Sequence, residues 1–236
     1  GQMLYAIALK IEKCVANSEK ELLKIMNKNV TFVFGASFII GNYILPRFLN
    51  NLKENIHNDV SINVSVSHEA IEDLLDKKID IALVENYVSN DDIIYREWME
   101  DEIVIFSNQR LPQKAKAEDL LSYKWVCRNP ESNTRLIFKE NLEKANFPDC
   151  DTFNVTSEVT SATTIVQTVL HSDKNATPTV SIVSRNAIES LLKSEALFES
   201  RIGNQKMLRK LYIAYRKDRK HDAFIENVVD YLLKIK

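Results

Sequence analysis

Glycine is scarce in this chain, with four in 236 residues, and that scarcity excludes the phosphate-cradling loops built on closely spaced glycines. No Walker-type glycine-lysine loop and no H-E-x-x-H occurs, and Ser37, followed by Phe38 and Ile39, does not form a G-x-S-x-G elbow. The three cysteines (Cys14, Cys127 and Cys150) have no C-x-x-C spacing, which argues against a disulfide framework and agrees with a reducing compartment. No apolar run approaches the length of a membrane span, and the N-terminus lacks a signal-peptide core followed by a small-residue cleavage site. The cytoplasm is the expected location, with no membrane partner. A basic surplus is missing too: 31 Lys and Arg face 33 Asp and Glu, for a net charge of −2. A duplex-binding surface needs clustered cations to displace counterions, so this segment itself is not expected to touch DNA. No cofactor or metal site is expected.

What is present is globular. Apolar residues make up 45% and charged residues 27% of the chain, ordinary values for a length that buries a sizeable core as one large domain or two small ones. At the N-terminus, Leu4, Ala8, Ile11, Val15, Ser18, Leu22 and Ile25 alternate steps of four and three, which is a heptad seam. It reads either as an amphipathic helix packed on its own domain or, as favoured here because the seam spans more than three heptads, as a dimerising linker over 1–29. Leu4, Ile11, Val15, Leu22 and Ile25 are its candidate contacts.

From Val30 onward the pattern changes period. Val30, Phe32 and Phe34 alternate as a buried strand that Gly35 is expected to end, leaving Ser37 at a helix N-cap, where exposed N–H groups donate either to the capping hydroxyl or to a bound anion. Pro46 either restarts or kinks the helix that follows. Val60 to Val66 alternates as a second strand, Ser67 or His68 caps a helix through Asp76, and Ile79 to Val84 is a short apolar strand. This order is a parallel α/β half-domain. Two further strands are expected over Ile93 to Trp98 and Glu102 to Phe106, and the polar, proline-containing stretch 107–119 reads as a crossover.

The alternation then begins again, with strands at Trp125 to Arg128, Thr152 to Ser157 and Val180 to Val183. Helices are expected at Asn133 to Ala145, Ser161 to Leu170 and Arg185 to Lys193. A late strand over Leu208 to Tyr215 and a helix over His221 to Ile235 close the chain. Two α/β halves imply a cleft, and such folds bind ligands at the carboxyl ends of parallel strands.

Five stretches together resemble the effector-binding region of LysR-type transcriptional regulators: ASFIIGNYILPRFL, DKKIDIALVE, REWMEDEIVIF, WVCRNPESNTRLIFKENL and SIVSRNAI. The fourth is similar to the R-E-x-G-S-G-T-R stretch of the branch concerned with sulfur assimilation and carbon fixation, and the heptad helix corresponds to the family's linker helix. The resemblance implies an α/β, type 2 periplasmic-binding-protein-like fold, with a long N-terminal linker helix ahead of two subdomains, 30–107 plus 208–236 and 108–207. It also implies a homodimer or homotetramer, a small-molecule effector in the inter-subdomain cleft, and promoter DNA bound by a helix-turn-helix domain that this chain lacks. Effector binding would shift a hinge near Ser107 and Leu208.

The ligand-binding positions it implies are Ser37 and Phe38 after the first strand, Glu85 after the third, and Ser132, Asn133 and Thr134 at a helix start. His68 reads as a cap or a pH-sensitive donor facing the cleft, and Thr160 and Ser161 as cap, ligand contact or both. Glu85 complicates an anionic effector, since a carboxylate repels an anion unless protonated or paired with a cation. It could instead accept from an amine or a protonated oxyanion, or stand as a surface carboxylate. The chain also departs from the family pattern. Phe38 and Ile39 stand where threonines are common, Glu131 and Asn133 replace the two glycines of G-S-G-T, and SDKNATPT at 172–179 replaces a Gly-Leu-Gly turn. Cys127 reads as a small core residue. The competing functions are a transporter's solute-binding protein, which shares the fold, and an enzyme.

Overall fold

The computed structural model describes residues 31–56 and 58–235, together with Tyr5, Ile7, Ala8, Ile11, Val15, Ser18 and Leu22. Among the N-terminal positions, Ile11, Val15 and Leu22 are helical, and each is more than half exposed. Leu4, Ile25 and the strand-opening Val30 lie outside the described residues. No helix among the described residues is long and apolar enough to cross a membrane.

The chain divides into two compact units, the first running to Met99 and resuming at Leu211–Lys236, the second spanning Glu100–Lys210. The first unit is built on β1 (Phe32–Ser37), β2 (Val60–Ser65) and β3 (Ile81–Val84). β1 runs parallel to β2 on one side and to β3 on the other, with Phe34 opposite both Ile62 and Ile81. Every residue of β3 is buried, as expected of a parallel strand covered on both faces. One core gathers Ala70, Ile71 and Leu74 of the helix Ser67–Leu75 over Ile79, Ala82 and Val84. Phe224, in the closing helix Ala223–Lys234, meets Phe32 edge to face at 5.1 Å, and the Trp98 indole N–H donates to the carbonyl of Leu232 at 2.9 Å.

β1 does not stop at Gly35, which lies in mid-strand. A Cβ at that position would sit 2.3 Å from Cδ1 of the buried Ile79, so the glycine serves close packing and not a turn. Past the strand, a π-helical turn over Ile40–Ile44 gives way to a 3-10 turn over Leu45–Arg47, and the α-helix starts again at Leu49. Pro46 has no N–H to continue the helical ladder, and the change of hydrogen-bond register falls at that residue.

β4 (Ile93–Ser107) leads out of the first unit as one continuous strand of 15 residues, where two had been expected. The gap expected between them contains Asp101, which is fully buried and paired. In the second unit β4 is joined by β5 (Lys114–Ala115), β6 (Lys124–Arg128), β7 (Asn154–Val159), β8 (Thr179–Ser184), β9 (Phe198–Ile202) and the start of β10 (Met207–Arg216). β6 lies parallel between β7 and β8, and β4 runs antiparallel to β8 and β9. β5, β9 and the short helix Ala117–Ser122 were not anticipated. β9 reads FESRI, with Glu199 and Arg201 at half-buried positions that disguise a strand.

The core of the second unit centres on Trp125, which stacks on Phe153 at 4.9 Å and touches Phe138 at 5.4 Å. The segment 172–179 is held by β4 and the residues just after it. Asn108 Nδ2 donates to the carbonyls of Leu170 and Ser172, Gln109 Nε2 to those of Asp173 and Ala176, and Ser107 Oγ to that of Thr179.

Gly35→Ala is expected to lower unfolding stability by about 1–3 kcal/mol through overpacking against Ile79. Urea denaturation measures this, and Ile79→Val in the same chain should return part of the loss.

Candidate functional site

In the first unit the polar residues of interest gather at the carboxyl ends of β1 and β3. Ala36 pairs with Leu83, so Ser37 and Glu85 emerge from adjacent strands on the same edge. The Ser37 hydroxyl is nearly buried, at 3% exposure, and donates to Glu85 Oε1 at 2.8 Å. Ser37 is therefore the last residue of a strand and not a helix cap, because β1 continues two residues past Gly35. Phe38, the next residue, is 48% exposed and presents an apolar ring beside this polar pair. His68 is exposed in the first turn of its helix. Neither it nor Ser67 is the cap: β2 leads through a single extended residue, Val66, into the helix, and no side chain caps it.

In the second unit the helix Asn133–Lys144 starts beyond the end of β6. Ser132 is its N-cap, with Oγ accepting from the Arg135 N–H at 3.3 Å. Asn133 is half-buried, while Thr134 is 8% exposed and its Oγ1 accepts from Arg209 Nη1 at 3.5 Å. Ser161 caps the helix Ala162–Leu170 by accepting from the Thr164 N–H at 3.4 Å, and both it and Thr160 are exposed.

The sequence reading missed Arg209 and Asp101. Arg209 Nε and Nη2 contact Asp101 Oδ2 at 2.8 and 2.7 Å, and Asp101 Oδ1 accepts from Ser184 Oγ at 2.6 Å and Asn186 Nδ2 at 2.9 Å. Arg209 shares the inward face of β10 with Met207, Leu211 and Ile213, while Leu208 and Lys210 face outward. An arginine on the apolar side of an alternating strand was the available signal that a buried counter-charge exists. Asp101 thus fixes the Arg209 guanidinium that touches Thr134, at a helix start, where the dipole favours an anion.

Two other groups of side chains are structural in character. Burial pushes the Cys127 thiol up to about 11 and raises that of Cys150 as well, and both belong to the core around Trp125. Asp149, Cys150 and Asp151 present ligand atoms within 4.8 Å of one another. Lys139 binds both carboxylates, at 3.1 and 2.9 Å, and thereby supplies their positive charge.

Two α/β units joined by crossover strands, each with hydroxyl groups at strand ends or helix starts, define the periplasmic-binding-protein-like class of ligand sensor. The chain belongs to the LysR substrate binding domain family, whose description fits residues 29–235. It is 26% identical over 235 residues to the HTH-type transcriptional regulator YeiE of Escherichia coli (strain K12), covering 98% of this chain and 76% of that protein. The HTH-type regulator CysL of Bacillus subtilis (strain 168) is 31% identical over 106 residues, covering 42% and 35% of the two chains. Among solved structures, the CcmR regulatory domain of Synechocystis PCC6803 in complex with 2-PG superposes with a TM-score of 0.70 at 17% identity, covering 87% of this chain and 96% of that one. The chain is the effector-sensing domain of a LysR-type transcriptional regulator, not an enzyme.

In a Cys14→Ser background at pH 8, Cys127 is expected to react with iodoacetamide roughly 100-fold more slowly than an unhindered cysteine, since its thiolate is scarce. Labelling should accelerate as pH rises toward the raised thiol value and become fast at once in urea. Rapid labelling of the folded protein at pH 8 would contradict the core assignment.

Proposed function

We propose that the effector is a small polar or anionic metabolite, with Ser37, Phe38 and Glu85 in the first unit and Ser132, Asn133 and Thr134 in the second as its candidate contacts. His68, Thr160 and Ser161, all exposed, are secondary contacts. The observation that carries this reading is the Thr134, Arg209 and Asp101 cluster. A nearly buried hydroxyl sits at a helix start beside a guanidinium that a carboxylate holds in place. Such fixed donors suit a compact oxyanion or carboxylate.

The regulator acts as a cytoplasmic homodimer or homotetramer. The heptad segment 1–29 supplies the dimer contact, and promoter DNA is bound through a helix-turn-helix domain. Ile11, Val15 and Leu22 are each helical and more than half exposed, which suits a heptad seam that packs against a second helix. Effector binding changes the oligomer's geometry only by the difference in its affinity for the two states.

The test is a thermal-shift screen of sulfur oxyanions, amino acids and organic acids. A true effector at 100 times its dissociation constant is expected to add about 2.7 kcal/mol of stability. Thr134→Val combined with Glu85→Ala should abolish that gain, and a gain unchanged by the pair would place the site elsewhere.

A further inference from the structure

We propose that the second unit carries a separate site for an aromatic carboxylate, in the groove formed by the helix Arg185–Lys193, β9 and the residues that follow β4. None of the residues lining it is a candidate effector contact, and all of them belong to this one unit. The groove encloses about 520 Å³, within the roughly 300–1,000 Å³ usual for small-molecule sites.

Its apolar part is made by Leu111, Leu192, Leu197 and Phe198. Leu197 is buried and the Phe198 ring is half-buried. Arg110 lies over that ring, with Cζ 5.0 Å from the centroid. Its side chain is 78% exposed, so the outer face of the guanidinium is open to a second aromatic ring, which it attracts as it does the first. Arg110 is also paired with Glu195 at 3.2 Å, but that carboxylate is 72% exposed. So solvated an ion pair contributes little, and a ligand displaces it at small cost.

The charged part is built on Arg185. Arg185 and Leu192 both line the groove and stand seven residues apart on one helix, hence on one face and about 10 Å apart along its axis. Arg185 donates from Nε to Glu199 Oε2 at 2.7 Å and makes no other polar contact among the described residues. Its two terminal nitrogens are left without a protein acceptor. Arg201, by contrast, is committed: Nε and Nη2 donate to the two oxygens of Glu102 at 2.6 and 3.0 Å, and Nη2 lies 3.5 Å from Glu199 Oε1. Both oxygens of Glu199 are thus met by guanidinium groups.

Each of the three arginines has a glutamate partner, so the surplus in the groove is one of donors and not of net charge. A guanidinium carries five N–H groups, and Arg185 spends one of them. A carboxylate takes the terminal pair in bidentate geometry, whereas an ammonium meets donors. The ligand's anionic group therefore belongs at Arg185 and its ring between Arg110 and the apolar wall.

Four probes test this, 3-phenylpropionate, 3-phenylpropanol, 3-phenylpropylamine and propionate, because they vary the head group on one ring and then remove the ring. Each is titrated calorimetrically to its solubility limit against the full chain. The first is expected to bind at least about tenfold more tightly than the other three, the size of one charge-assisted contact or of a buried ring. Arg185→Gln should weaken it about tenfold, Arg185→Lys should recover part of that loss, and Phe198→Leu should cost about threefold. Thermal melts report that each variant is folded. Thr134→Val combined with Glu85→Ala should leave the affinity within about twofold, as for an independent site. Equal affinity for the four probes, no saturable binding of 3-phenylpropionate, or binding unmoved by Arg185→Gln would each overturn the proposal. Binding lost in the Thr134 and Glu85 pair yet kept in Arg185→Gln would overturn it too, and would assign the aromatic acid to the effector contacts.

Discussion

Burying Asp101 and Arg209 removes two charges from water, and the structure repays that by leaving neither half-solvated. Asp101 accepts on both oxygens, from the guanidinium on one side and from Ser184 and Asn186 on the other. The pair ties β4 to β10, the two strands that cross between the units, just inside the second unit on both. It also fastens the start of the helix Arg185–Lys193 and aims Nη1 at Thr134. A buried ion pair contributes little net stability against apolar residues of the same size, but losing one partner strands the other. Its effect is therefore to specify one register of the crossover strands and one orientation of the polar groups near them.

The first unit solves a similar problem with lighter chemistry. Asp80 accepts from the Val33 N–H at 2.9 Å and from Arg219 Nη1 at 2.6 Å, which locks the turn ahead of β3 to β1 and to the segment before the closing helix. β3 then enters the sheet with Leu83 opposite Ala36, which brings Glu85 within reach of the Ser37 hydroxyl. The hydrogen bond between Ser37 and Glu85 is thus an outcome of strand register, which the close packing at Gly35 and the carboxylate of Asp80 support.

Much of this was legible in the residues. The parallel alternation, the heptad seam and the order of the five family-like stretches lead to the fold and the regulator class. What was misread shares a cause: local chemistry was taken at face value where tertiary packing overrides it. Gly35 looked like a strand terminus, yet it is the place where Ile79 needs room. Strands were expected over Ile93 to Trp98 and Glu102 to Phe106 with a gap between them, although Asp101 in that gap is buried against Arg209. Ser37 looked like a cap because the strand was ended too early. Arg209 itself was visible on the apolar face of β10, and only the assumption that charged residues face water hid it.

The most direct test of this account is a double-mutant cycle on the buried pair, with Asp101→Leu, Arg209→Met and the combined variant followed by urea denaturation. If the pair is the constraint described, each single change should destabilise by about 3–5 kcal/mol and the double by far less than their sum. The coupling is then at least about 2 kcal/mol. Additive losses, with coupling near zero, would mean that Arg209 and Asp101 do not hold each other in solution and that Thr134 is not positioned by them.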